Sequence, residues 1–115
     1  MPPTTGYSFG DVILVPFPFT DQSATKKRPA VVISSGVYHR SGPDLLIMAI
    51  TSKVRSVRSI GEFQVKNWQE AGLLKPSAIK SVITTIERTL VLKRLGRLKV
   101  EDQQSLRRAI TALIG

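Results

Sequence analysis

The chain is punctuated into short apolar runs, each stopped after a few residues by proline, glycine or a polar cluster, and this excludes most helical folds. Val12, Ile13, Leu14 and Val15 form the first run, continuous enough for a strand buried on both faces. Pro16 and Pro18 then remove two backbone donors, so the strand leaves its ladder there or lies at an edge. Thr20 to Lys27 is polar and reads as a loop, and Ala30 to Ser34 as a second strand ended by Ser35 and Gly36. Leu45 to Ile50 forms a third strand after the turn signal Ser41, Gly42, Pro43 and Asp44.

Further on, Ile60 to Val65 alternates weakly and predicts a fourth strand. Trp68 to Ala71 is expected as a helical turn stopped by Gly72. Ala78 to Ile86 and Val91 to Leu98 read as two more strands, the latter interrupted by Gly96. From about Val100 to Ile114 the period changes: Leu106, Ala109, Ile110, Leu113 and Ile114 fall on one face of a helix whose first turn carries Glu101 and Asp102. Several short strands and one terminal helix predict a mostly β (α+β) small barrel, a single domain over residues 1–115.

Composition narrows the chemistry. An apolar fraction of 42% suits a folded globule, and seventeen Lys and Arg against eight Asp and Glu leave a formal +9, a charge relieved by a polyanionic partner. Without cysteine there is no thiolate nucleophile, and with His39 as the one histidine neither a two-histidine acid–base pair nor a zinc site can be assembled within the chain. The eight carboxylates are scattered, with no phosphate-binding glycine loop and no nucleophile elbow. No apolar run approaches the roughly 20 residues of a membrane span, and the N-terminus lacks the pattern of a signal peptide. A cytoplasmic protein acting on a polyanion without metal or cofactor is the expectation.

Two residues stand out against that background. Arg28 follows Lys26 and Lys27 and precedes Pro29, whose ring restricts Arg28 to extended backbone. Its planar fork suits two oxygens of one phosphate, although a strand arginine can equally pair with an acid. Thr51 ends the apolar run from Leu45 to Ile50, so its hydroxyl emerges at a strand terminus, where it is either a phosphate donor or an ordinary β-branched strand residue.

Taken in order, Gly10, Asp11 and Val12, then Lys27, Arg28, Pro29, Ala30, Val31, Val32, Ile33 and Ser34, then Ile50, Thr51 and Ser52 form a pattern. A later block holds Trp68, Ala71, Gly72, Leu73, Pro76 and Ser77, followed by Leu95, Gly96, Arg97 and Leu98. With these residues the chain resembles the MazF/PemK (Kid) toxins of type II toxin–antitoxin systems, from about Gly10 to the final helix. The resemblance implies an SH3-like barrel, a homodimer, and metal-independent endoribonuclease cleavage of single-stranded RNA at a short sequence. The ribose 2′-hydroxyl would attack the adjacent phosphorus and leave a 2′,3′-cyclic phosphate and a 5′-hydroxyl. Arg28 matches the family's active-site arginine and Thr51 its threonine.

On the same footing, Phe17, Phe19, Lys26, Lys27, Ser52, Lys53 and Arg55 are expected to bind RNA: the rings by stacking on unpaired bases, the cations, with Arg58, by following phosphates. An acidic, partly disordered antitoxin is the implied inhibitor. The chain departs from many relatives in the loop before the arginine, where Asp21, Gln22, Ser23, Ala24 and Thr25 replace a Gly-Ser-Glu-Gln run and leave Asp21 as the available carboxylate. That loop is expected to be mobile and to order on RNA. Two other functions fit a basic barrel: a CcdB-like toxin that binds gyrase without cleaving anything, and a non-catalytic RNA-binding module.

Overall fold

The computed structural model describes residues 6–17, 26–53 and 60–115. Strand β1 (Asp11–Phe17) starts after Gly10, whose φ of 90° reverses the chain, and lies antiparallel to β2 (Lys26–Val32). A short helix α1 (Gly36–Ser41) leads to β3 (Asp44–Thr51), and β4 (Phe63–Gln64), β5 (Ala78–Glu87) and β6 (Lys93–Arg97) complete the β structure. The final helix, α2, spans Val100–Ile114. The strands form one antiparallel sheet in the order β4-β5-β3-β2-β1-β6.

The central strands are covered on both faces, which is why β1 reads as an unbroken apolar run. Val12, Val31, Met48, Ile50 and Ile79 pack on one side with Val65, Leu98 and Leu106. Ile13, Val15, Ala30, Val32, Leu45, Ile47 and Ile86 pack on the other, with Tyr7, Leu90 and Val91 against them. Burying a Val, Leu or Ile side chain contributes about 1.5–3 kcal/mol, so these two layers dominate the stability.

The sheet curls into a half-barrel because its two edges are bridged by the turns from Lys66 to Lys75. Val65 N–H donates to Ser77 O (2.9 Å) on the β5 side. At the other end, Gly72 and Gly96 bring two backbones so close that a Cβ on Gly72 would lie 2.2 Å from the Leu95 carbonyl oxygen. Asp102, buried in the first turn of α2, accepts from Lys66 N–H (2.9 Å) and Asn67 N–H (2.8 Å). Its carboxylate therefore ties the bridge to the helix, beyond any interaction with the helix dipole.

Several elements differ from expectation. The segment between the second and third strands, for which no helix is expected from the sequence, holds α1, whose Ser35 cap accepts from Tyr38 N–H at 3.4 Å. The expected fourth strand shrinks to Phe63–Gln64, and Ile60 is 73% exposed. The second strand begins earlier than expected, at Lys26, so Arg28 stands within it and not at its start.

Candidate active site

Arg28 pairs with Val15 across β1 and β2, and Phe17 lies two residues beyond Val15 on the same face. That diagonal relation explains the contact observed: the Arg28 guanidinium sits 5.2 Å from the centroid of the Phe17 ring. Pro29 follows, and the ladder from β2 to β3 ends beside it at Ala30 opposite Ala49. A proline has no N–H to offer a neighbour, so the two strands separate here. Beyond that point Arg28 on β2 and Thr51 on β3 have no ladder partner on each other's strand.

The separation opens a cleft of about 780 Å³. Lys26, Lys27, Arg28 and Pro29 line it from β2, and Ile50, Thr51 and Ser52 from β3. Leu14 contributes from β1, while Leu73, Leu74, Lys75, Lys93, Arg94 and Leu95 form the far wall. Lys26, Lys27, Arg28, Lys75, Lys93 and Arg94 give this lining six cations, and no carboxylate joins them among the described residues. Such a surface concentrates anions before any specific contact forms.

Thr51 is prepared as a donor. Its Oγ1 accepts from Lys53 N–H at 3.1 Å, which commits a lone pair and leaves the hydroxyl proton for another acceptor. Arg28 and Thr51 both line the cleft, which therefore offers a fork of N–H groups and an O–H, groups suited to the non-bridging oxygens of a phosphodiester.

His39 takes no part in the cleft. Its Nδ1 lies 2.8 Å from the Tyr7 carbonyl, which can only accept, so Nδ1 carries a proton. Its Nε2 then accepts from Ser34 Oγ at 2.5 Å, and that oxygen accepts from Leu46 N–H. Both ring nitrogens are committed to holding α1 and the N-terminal segment against β3.

Of the residues expected at the site, Lys26, Lys27, Arg28, Thr51 and Ser52 share the cleft, and Phe17 reaches it through Arg28. Lys53 is exposed just past the rim. Phe19, Arg55, Arg58 and the loop from Asp21 to Thr25 lie outside the described residues.

The model of the PemK-like, MazF-like toxins of type II toxin–antitoxin systems matches residues 8–114. The chain belongs to this family. Its fold is shared with an endoribonuclease solved in complex with its cognate antitoxin from a Mycobacterial species, with a TM-score of 0.74 at 16% identity over 94% of this chain and 95% of that one. Mycobacterium tuberculosis toxin MazF-mt6 gives 0.70 at 21% identity over 90% of this chain and 95% of that one. A MazE–MazF crystal form from Deinococcus radiodurans gives 0.72 at 14% identity over 95% of each chain. No curated protein sequence matches the chain.

The MazF-like fold gives several of the ordered sequence blocks a physical meaning. Gly72 and Gly96, from two different blocks, are the pair whose backbones touch. Asp11, from the first block, receives Arg97 from the last, Nε to Oδ1 at 2.8 Å. The far wall of the cleft, by contrast, was not anticipated. Lys75, Lys93 and Arg94 sit in segments that read locally as turn and strand; the β1–β6 ladder brings Lys93 and Arg94 to the cleft, and the Lys75 segment meets β6 at the glycine pair. The usable signal was Asp11, a carboxylate directly before a buried apolar run, which demands cationic partners from elsewhere in the chain.

Proposed function

We propose that this MazF-like toxin is an endoribonuclease that cleaves single-stranded RNA at a short sequence, without metal, through Arg28 and Thr51. The observation that carries the reading is that both residues line one cleft, opened where the β2–β3 ladder ends, whose charged lining residues are all cations among the described residues. The 2′-oxygen of a ribose bonds to the adjacent phosphorus while the bond from phosphorus to the 5′-oxygen breaks, leaving a 2′,3′-cyclic phosphate and a 5′-hydroxyl. The negative charge that builds on the non-bridging oxygens is offset by the Arg28 fork and by the Thr51 hydroxyl. Removing one such donor typically costs about 10²–10³ in rate.

The remaining residues bind. Phe17 holds the guanidinium plane through a cation–π contact and, 40% exposed, is placed to stack on an unpaired base. Lys26, Lys27 and Lys53 follow phosphates, with Ser52 as a neutral donor, and Phe19 and Arg55 extend the set from their sequence positions. An acidic antitoxin segment suits the same cleft by charge, and the Mycobacterial neighbour was solved with its cognate antitoxin. The toxin acts as a cytoplasmic homodimer.

The test incubates the purified chain with a long unstructured RNA in EDTA. Defined fragments ending in cyclic phosphate, abolished by Arg28→Ala, are expected. Retention of RNA without cleavage would leave a binding module instead, and neither result would direct attention to a protein target of the gyrase type.

A further inference from the structure

Asp11 is fully buried, and all of its partners are donors: Ser8 N–H on Oδ2 (2.8 Å), Arg94 Nη2 on Oδ1 (3.0 Å) and Arg97 Nε on Oδ1 (2.8 Å). Arg94 and Arg97 are three residues apart on β6, and in a regular strand they would project from opposite faces. They converge because the register slips between Val12 and Ile13. Arg97 stands opposite Asp11, Gly96 opposite Val12 and Arg94 opposite Ile13, so Leu95 is the extra, bulged residue. A bulge re-aims the side chains that flank it. One carboxylate thus faces two guanidinium groups and leaves a cation uncompensated.

The two arginines are nearly equal in exposure, 46% for Arg94 and 49% for Arg97, and they share the same acceptor atom. They differ in position, since Arg94 lines the cleft and Arg97 does not. Next to Arg94, Lys93 stands opposite Leu14, which in turn stands opposite Pro29. Lys93 is therefore two strand spacings, about 10 Å, from the strand that carries Arg28. That separation is too great for the reacting phosphate and suits another phosphate of the same strand.

We propose that Lys93, Arg94 and Lys75 form a second phosphate subsite along the far wall of the cleft, and that buried Asp11 is the positioning residue that sets Arg94 in it. The subsite rests on the reading of the cleft as an RNA site. It fixes the path of the RNA from the Arg28–Thr51 end toward the glycine pair.

The experiment compares Arg94→Gln with Arg97→Gln, which lose the same charge and the same bond to Asp11. Binding of a fluorescent, fully 2′-O-methylated single-stranded RNA of mixed sequence is followed by anisotropy over a series of salt concentrations. Arg94→Gln is expected to flatten the dependence of log K on log salt by about 0.7, the value for one phosphate of a single strand, and Arg97→Gln by less than half of that. Equal effects overturn the subsite. Asp11→Asn supplies an opposed prediction: its added positive charge alone would steepen the slope, whereas loss of the anchor flattens it. A steeper or unchanged slope overturns the positioning role; should Asp11→Asn fail to fold, the arginine pair still decides the subsite. A wild-type chain that cleaves RNA while the two arginine variants bind alike sinks only this proposal, and one that neither binds nor cleaves RNA sinks the nuclease reading as well.

Discussion

Replacing Gly72 by alanine tests whether the cleft wall depends on two backbones in direct contact. Gly72 has φ of +87°, a left-handed conformation that costs an L-residue about 1–2 kcal/mol. The added Cβ would also lie 2.2 Å from the Leu95 oxygen and 2.6 Å from its carbonyl carbon. To reach even 3.0 Å, the shortest separation such contacts tolerate, the two segments must part by about 0.8 Å. The obstacle is the backbone of β6, held by its ladder to β1, and not the end of a flexible side chain. Overpacking of this kind costs about 1–3 kcal/mol, so the combined loss is about 3 kcal/mol, a large share of the stability of a domain this size. Urea unfolding reads it as a lower midpoint at unchanged slope, and thermal unfolding as a drop of about 10 °C. Gly42→Ala is the control, because Gly42 is extended (φ −174°) and its Cβ would meet nothing within 4 Å. Gly96→Ala strikes the same junction from the other side, at 2.5 Å from the Ala71 oxygen, so the double variant should lose less than the sum of the two. A Gly72→Ala protein within 0.5 kcal/mol of wild type, or a Gly42→Ala protein equally damaged, would refute the reasoning.

Three further outcomes are expected. Arg28→Lys keeps the charge but loses the planar fork and its seat on Phe17, so cleavage should fall by about 10² while the unfolding midpoint holds; single-turnover cleavage of RNA with parallel urea unfolding checks both. Thr51→Ser retains the hydroxyl and should keep activity within about tenfold, whereas Thr51→Val, similar in shape, should lose about 10² or more; equal rates for the two would remove the hydroxyl from the chemistry. Asp102→Ala strips two buried acceptors from the N–H groups of Lys66 and Asn67 and should cost about 2 kcal/mol by urea unfolding, with a loss below 0.5 kcal/mol counting against the tie between bridge and helix.

What could be read in advance follows the range of the interactions involved. β1, β3 and α2 were legible because their signals are local: β-branched runs bounded by turn residues, and a change of period at Val100. Helix α1 was not, since six residues are too few for a helical period to show, and Ser35 serves equally well as a strand stop and as an N-cap. Arg28 and Thr51 stand out in the sequence as candidates, but their meeting in one cleft does not, because it depends on how many residues separate the strands and on where the β2–β3 ladder ends.

The far wall lay furthest beyond a local reading. Lys93, Arg94 and Lys75 acquire a role only through a bulge at Leu95, a glycine contact between segments distant in sequence, and a buried carboxylate at the start of the first strand. Each of those three devices concerns an atom that would otherwise be strained or unsatisfied: the extra residue in the ladder, the missing Cβ, the charge on Asp11. The positions where this chain departs from regular β geometry are therefore the ones that build the cleft. Deleting Leu95 would leave Arg94 and Arg97 two residues apart on one face of a regular β6, so both could still reach Asp11, while the backbone that meets Gly72 would be lost.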